Sequence, residues 1–331
     1  MSAAQVTFLF ADGLGRTETA PAGERLTEVA ERAGLLLLMD CSAGQCGTCV
    51  AHLVSGTVVL EDYDRAVLPD SDRLDGMILT CVARTQGSCV VEFSYDSVDA
   101  SADPAPAFPG RVIACEPVAD EIWTLRLQVD APFEFLPGQY VRLRPEIDAP
   151  WRSYSMANAP GESELTFYVR IVPGGAFSTW LTERARPGAI VDIDGPRGVF
   201  FLRDEPRPRL FVAGGSGLAP FLSMLKASRP GAKHGPTTLL VGARSGAHLF
   251  AAEDLRAAQA ADPDLVVRRF VERGDRSDCE AGFPTAGLTA GAVDPAARVY
   301  VCGPPPMVDA AREAVERAGL SRSDLLFERF S

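Results

Sequence analysis

The chain has 331 residues, 47% of them hydrophobic, and a formal net charge of −12 at neutral pH. Length and apolar content predict two or three domains, each with material for its own core, and the acidity argues against nucleic acid, whose phosphates would be repelled. The longest apolar stretch, Leu35 to Met39, falls far short of the roughly 20 residues that cross a bilayer. No membrane span is expected. The opening Met1-Ser-Ala-Ala-Gln-Val-Thr-Phe8 carries no basic leader and runs straight into an alternating pattern, so no export signal is expected and a cytoplasmic setting is.

The first segment predicts a hairpin of strands, then an amphipathic helix from Glu24 to Ala33 stopped by Gly34, and a short helix near Ser71 to Asp75. Between the helices lies Asp40-Cys-Ser-Ala-Gly-Gln-Cys-Gly-Thr-Cys49, and Cys81 follows later. Cys41, Cys46, Cys49 and Cys81 thus have Cys-x4-Cys-x2-Cys spacing with a distant fourth thiol, the pattern of a plant-type [2Fe-2S] site. Gly44 and Gly47 let the loop wrap closely and aim amide N–H groups at sulfur. The competing readings are a disulfide framework or zinc, although zinc ordinarily takes two Cys-x2-Cys-like pairs. Cys89, Cys115 and Cys279 have no such spacing and read as small buried hydrophobes. Residues 1–100 hold 15 acidic and 6 basic residues and no lysine, a face suited to a basic redox partner or simply to solubility.

Tyr95 to Phe108 is polar, Ala/Pro-rich and aperiodic, as a semi-stiff linker would be. The middle segment, about 109–205, predicts a small antiparallel barrel with strands at Arg111–Cys115, Ile122–Val129, Tyr140–Leu143, Ser153–Ala157, Leu165–Ile171 and Ala189–Ile193. In Arg152-Ser-Tyr-Ser155, period-two alternation puts Arg152 and Tyr154 on the face opposite Ser155. Gly174-Gly-Ala-Phe-Ser178 runs into a helix whose N-terminal amides suit a phosphate.

A softer boundary near Arg203 to Pro208 opens a third segment of alternating strands and helices, a doubly wound nucleotide-binding pattern. Leu210 to Ala213 runs into Gly214-Gly-Ser-Gly217 and a helix from Ala219 to Lys226. Thr238–Val241, Val266–Val271 and Val299–Cys302 follow as parallel strands. The loop is not Gly-x-Gly-x-x-Gly, so alone it implies only close backbone approach to something. Pro304-Pro-Pro306 ends the last strand before a helix from Val308 to Ala318.

Taken together, the cysteine pattern, Arg-x-Tyr-Ser with Gly-Gly-x-x-Ser, and Gly-Gly-Ser-Gly-Leu-Ala-Pro with Cys-Gly-Pro-Pro-Pro-Met resemble the reductase components of Rieske ring-hydroxylating dioxygenases of the benzoate type. The resemblance covers the whole chain. It implies an α+β ferredoxin (β-grasp) domain over 1–98, a linker over 99–108, an antiparallel β-barrel FAD domain over 109–205, and an α/β doubly wound NAD domain over 206–331. It implies that Arg152 pairs with the FAD pyrophosphate, Tyr154 packs on the isoalloxazine and Ser155 sits near its N5. Gly174, Gly175 and Ser178 would hold the pyrophosphate, with Val169 lining the site. Gly214, Gly215, Ser216 and Gly217 would cradle NADH, and Cys302, Gly303, Pro304 and Met307 would line the nicotinamide pocket. Ser216 departs from the threonine of many members but keeps a hydroxyl. In Phe327-Glu-Arg-Phe330, Phe330 would cover the flavin. Ser155, Cys302, Glu328 and Phe330 would carry the catalytic step.

The activity so implied passes electrons from NADH through FAD and the [2Fe-2S] cluster to a separate oxygenase, docked through the acidic ferredoxin domain, with the chain a monomer. No oxygenase site is expected here, because His52, His234 and His248 form no Rieske pair or iron motif. The same architecture serves di-iron monooxygenases of the phenol or methane hydroxylase type and a deoxysugar-biosynthesis system, and a redox-sensing module is a further reading. After the Val266–Val271 strand, Glu272-Arg273 stands where NADP-specific relatives carry serine and arginine. A carboxylate accepts hydrogen bonds from a ribose hydroxyl and repels a 2′-phosphate, so NADH is the expected donor, with Arg244 a possible counterweight.

Overall fold

The computed structural model describes residues 4–39, 41–45, 47–65, 67–100, 107–228, 235–274, 278–289, 293–320 and 324–330. They form two compact units, Met1–Pro104 and Ala105–Ser331.

The first unit holds strands β1 (Ala4–Leu9), β2 (Gly15–Ala20), β3 (Val50–Ser55), β4 (Val58–Leu60), β5 (Met77–Leu79), β6 (Ala83–Thr85) and β7 (Cys89–Glu92), with helices α1 (Leu26–Arg32) and α2 (Asp70–Leu74). The main sheet has the order β2-β1-β7-β3-β5, and β4 pairs with β6. In β1 the alternation is explicit, Ala4, Val6 and Phe8 facing inward and Gln5 outward, which is why it forms a half-buried strand rather than a helix. The β1–β7 pairing is parallel while β1–β2 and β3–β7 are antiparallel, so the chain must cross over, and α1 lies in that crossover. α1 starts two residues later than the sequence suggests because Arg25 is extended; Gly34, at φ +74°, supplies the left-handed residue beyond its C-terminus.

The second unit begins with β8 (Phe108–Ala119), β9 (Ile122–Phe133), β10 (Tyr140–Arg144), β11 (Arg152–Ser155), β12 (Glu162–Arg170), α3 (Ala176–Glu183) and β13 (Ile190–Arg197). These strands form one antiparallel sheet in the order β11-β10-β13-β8-β9-β12. Its ends approach where the Ala157 N–H donates to the Thr166 carbonyl at 2.8 Å. Leu125, Leu127, Val141, Leu143, Phe167 and Ile193 fill the interior, and α3 closes one end by burying Phe177, Trp180 and Leu181.

The unit continues with β14 (Arg209–Gly214), α4 (Ala219–Ala227), β15 (Thr237–Ala243), α5 (Ala252–Ala261), β16 (Leu265–Val271), β17 (Glu280–Ala281), β18 (Arg298–Gly303), α6 (Pro305–Arg317) and β19 (Leu325–Arg329). The sheet is parallel throughout, in the order β17-β16-β15-β14-β18-β19. The chain starts at β14, fills one side through β15 and β16, then returns to β18. The order therefore reverses between β14 and β18, and in open α/β sheets the crevice at the strand ends beside such a reversal is where ligands bind. Both faces are covered, so β14 is buried at every position.

Barrel and sheet share one core. Ile122, Ala157 and Phe200 pack with Phe211, Phe221 and Tyr300. The Tyr300 hydroxyl accepts the Arg203 N–H at 3.0 Å, and the Tyr168 ring packs at a tilt 4.6 Å from Phe250 while its hydroxyl donates to Asp254 at 3.2 Å.

Candidate active site

In the first unit the thiols of Cys49 and Cys81, both buried, lie 3.1 Å apart, and Cys41 hydrogen-bonds Cys81. A disulfide would need about 2.05 Å, and all three cysteines are free, which sets the disulfide reading aside. The Gln45 N–H points at the Cys41 Sγ at 3.2 Å, the amide-to-sulfur contact expected of an iron–sulfur loop. The loop bends through left-handed residues at Ser42, Gly44 and Gly47. Cys46 lies outside the described residues. The described thiols and the inward amide fit an iron–sulfur cluster.

On the barrel, Ser155 is buried and Arg152 is exposed, on opposite faces as alternation requires. Arg142 and Arg197 pair with Asp194, and Arg144 pairs with Asp192. Arg152 has no carboxylate partner among the described residues; its guanidinium donates to the Trp151 carbonyl at 3.2 Å. A cation left without an internal counter-ion, beside Tyr154, suits a pyrophosphate. The Tyr154 ring packs at a tilt against Phe177 on α3, centroids 4.7 Å apart, tying it to the helix that starts after Gly175.

The glycine loop is more constrained than its sequence suggests. The Gly175 N–H donates to the Val172 carbonyl at 3.0 Å, and the Ser178 hydroxyl accepts the Val172 N–H at 2.9 Å. Ser178 therefore clamps the loop with its side chain, and the amides of Ala176, Phe177 and Ser178, the first turn of α3, are those positioned for an anion. Gly174, at φ +72°, makes the turn into this clamp. The side chain of Val169 is buried in the barrel interior, because β12 alternation points it inward.

At the strand reversal, β14 ends in Gly214, and Gly215, Ser216 and Gly217 form a 3-10 turn into α4. A Cβ on Gly217 would sit 2.3 Å from the Cys302 carbonyl oxygen, so only glycine lets this turn pass over the end of β18. The space above Gly214 is held by Met307 and Pro304, and Met307 also packs on Gly303. The 214–217 loop and the Cys302–Met307 segment thus border one crevice.

β19 completes it. Its register sets Glu328 beside Cys302, and Glu328 Oε2 accepts from the Ser155 hydroxyl at 3.2 Å and from the Cys302 thiol at 3.8 Å. Ser155 and Cys302, from barrel and sheet, thereby meet at one carboxylate. Burial pushes the Cys302 thiol well up, and the Glu328 charge adds to it, so this cysteine stays a thiol at neutral pH. Phe330 is half-buried against the shared core, its N–H donating to the Gly303 carbonyl at 3.0 Å.

One pairing had no signal in the sequence. Glu121, in the β8–β9 turn with φ +58°, accepts two bonds from Arg244 at 2.9 and 3.2 Å, and this guanidinium holds its carboxyl below the usual range. The partners are 123 positions apart. The main chains of Glu272 and Arg273 donate to Ala243 and Arg244 at 3.2 and 3.1 Å, so both loops stand side by side at the sheet's carboxyl edge.

A cysteine loop, a flavin-type barrel and a doubly wound sheet joined to it through Glu328 define an electron-transfer oxidoreductase. Residues 9–86 match the 2Fe-2S iron-sulfur cluster binding domain, 109–202 the oxidoreductase FAD-binding domain and 211–313 the oxidoreductase NAD-binding domain. The chain is 32% identical to the toluate 1,2-dioxygenase electron transfer component of Pseudomonas putida over 97% of each. It is 35% identical to the methane monooxygenase component C of Methylosinus trichosporium over 72% of each. The cytochrome P450 reductase GcoB of Amycolatopsis aligns with a TM-score of 0.71 and 26% identity over 98% of each chain. The chain belongs to the family of iron–sulfur flavoprotein reductases that act as electron-transfer components of oxygenase systems. No described helix is long and apolar enough to cross a membrane.

Replacing Arg152 by Ala is expected to weaken FAD binding by roughly 1.5–3 kcal/mol, the worth of a charge-assisted hydrogen bond. Flavin retained per protein after dialysis measures it, and unchanged occupancy would remove Arg152 from the site.

Proposed function

We propose that this chain takes hydride from NADH in the crevice between β14 and β18 and delivers electrons singly, through the thiolate-held cluster of Cys41, Cys46, Cys49 and Cys81, to a separate Rieske-type aromatic dioxygenase. The observation that carries the choice of partner is similarity along the whole chain to a toluate dioxygenase component. FAD, when bound, supplies the conversion of a two-electron donor into one-electron steps. The chain's own groups do the rest. Arg152 and the first turn of α3 anchor the pyrophosphate, and Tyr154 braces the ring. Ser155 and Glu328 hold a proton between Oγ and Oε2 where the nicotinamide and flavin rings would meet. Cys302, kept as a neutral thiol, shapes that pocket without adding charge. Residues 1–98, 109–205 and 206–331 are the corresponding domains, joined by 99–108, and the acidic first domain is the docking face of a monomeric, cytoplasmic chain.

The methane monooxygenase relative favours a second reading, a di-iron monooxygenase partner. Coupled turnover with purified oxygenases of both kinds separates the two. NADH consumption coupled to hydroxylated product with the Rieske oxygenase supports the first, and coupling only to the di-iron enzyme overturns it.

Nicotinamide choice follows from charge at the carboxyl edge of the sheet. Arg244 is already neutralised by Glu121, and Glu272 adds an acidic group where a 2′-phosphate would lie. Preference for NADH is expected, and both Glu272→Ser and Glu121→Gln should raise kcat/KM for NADPH relative to NADH. A wild-type enzyme favouring NADPH would show that Arg273 outweighs both carboxylates.

Cys46→Ser is expected to lose the cluster and keep FAD, because the ligands lie in a separate compact unit. NADH-dependent ferricyanide reduction should persist while cytochrome c reduction collapses. Equal loss of both would contradict the division of labour.

A further inference from the structure

Tyr63 follows β4 and packs against the buried group that contains Cys49 and Cys81 together with Val67, Leu68, Leu79 and Val82. It is pressed onto the cysteine loop itself. A Cβ on Gly44 would fall 2.6 Å from the Tyr63 Cβ, and the next residue's N–H, from Asp64, donates to the Gly44 carbonyl at 3.1 Å. The main chain around Tyr63 is thereby fastened to the segment between Cys41 and Cys49. Asp64 is fixed from the other side as well, because its carbonyl accepts the N–H groups of Val67 and Leu68 at 2.9 and 3.3 Å. The ring therefore has little freedom to swing out.

The hydroxyl of this tyrosine is shut off from solvent and has no hydrogen-bond partner among the described residues. Buried phenols nearly always find an acceptor, since leaving the O–H unmade forfeits its hydration. The side chains it packs with in that group are aliphatic, thiol or thioether, and the described residues supply its O–H no acceptor. Sulfurs of a thiolate-held iron–sulfur centre are such acceptors, anionic and polarizable.

We propose that Tyr63 donates a hydrogen bond to a sulfur of the iron–sulfur centre, a cluster sulfide or a ligating thiolate, and so sets its reduction potential. The inference rests on the [2Fe-2S] reading of residues 9–86 and adds a side-chain donor to the amide donors of the loop. A donated hydrogen bond stabilises the added electron, so its removal lowers the potential. Gly44 belongs to the same device: with any side chain there, Tyr63 could not lie against the loop.

The test is the full-length protein carrying Tyr63→Phe, assayed for iron and acid-labile sulfide and then titrated by electron paramagnetic resonance against a mediator dye. The variant should hold wild-type amounts of iron and sulfide and shift the one-electron equilibrium about tenfold toward the oxidised form, or ~59 mV. An unchanged potential with full iron would overturn the role of Tyr63 and leave the cluster reading standing. Wild-type protein without iron or sulfide after reconstitution would instead remove the cluster reading. Should the phenylalanine variant fail to hold iron, fluorotyrosine at position 63 decides: a more acidic hydroxyl strengthens the bond and should raise the potential, and no change would overturn the proposal.

Discussion

One carboxylate joins two architectures. Glu328 accepts from Ser155 on the barrel and from Cys302 on the parallel sheet, and it is carried by β19, which exists only because it pairs with β18. Without β19 the Ser155 hydroxyl and the Cys302 thiol would lose their shared acceptor. With it, a barrel strand and a sheet strand end at the same oxygen, which ties the barrel to the crevice at the strand reversal. Hydride transfer depends on reacting atoms held at near-contact, so the shared core of Phe200, Phe211, Phe221 and Tyr300 is part of the chemistry: it keeps barrel and sheet a single body.

The crevice itself depends on the absence of side chains. The 3-10 turn after β14 crosses the end of β18 with no room for a Cβ at Gly217, bringing the main chain of two strands and one helix entry to one point. The topology explains why that point is at the strand reversal, where the helices on either side diverge and leave the strand ends open. Electron transfer needs no such enclosure. The cysteine unit is accordingly separate in its packing, and its requirement is local: a loop that wraps sulfur tightly, which Ser42, Gly44 and Gly47 permit.

Much of this was legible in the residues. Strands with clean alternation or continuous apolar runs, such as β9 and β14, stand within a few residues of their expected limits, because period and burial are local properties. The cysteine spacing and the Arg-x-Tyr-Ser motif were equally readable, since ligand chemistry restricts residue type. What was not legible depended on distant partners. Leu325–Arg329 is a strand through its pairing with the distant β18 edge. The inward register of Val169 in β12 and the capture of the Gly175 amide by the Val172 carbonyl depend on such partners. Glu121 and Arg244 illustrate the same limit, being ordinary surface charges in sequence and a bidentate pair in space.

Electrons are expected to move in a fixed order, from NADH to flavin and then from flavin to the iron–sulfur centre. Anaerobic rapid mixing of NADH with the holoprotein and with FAD-depleted protein, followed by flavin absorbance and the paramagnetic signal of the reduced cluster, tests it directly. Flavin bleaching ahead of the cluster signal is expected in the holoprotein, and an oxidised cluster in the depleted protein. Cluster reduction at the same rate without FAD would contradict it.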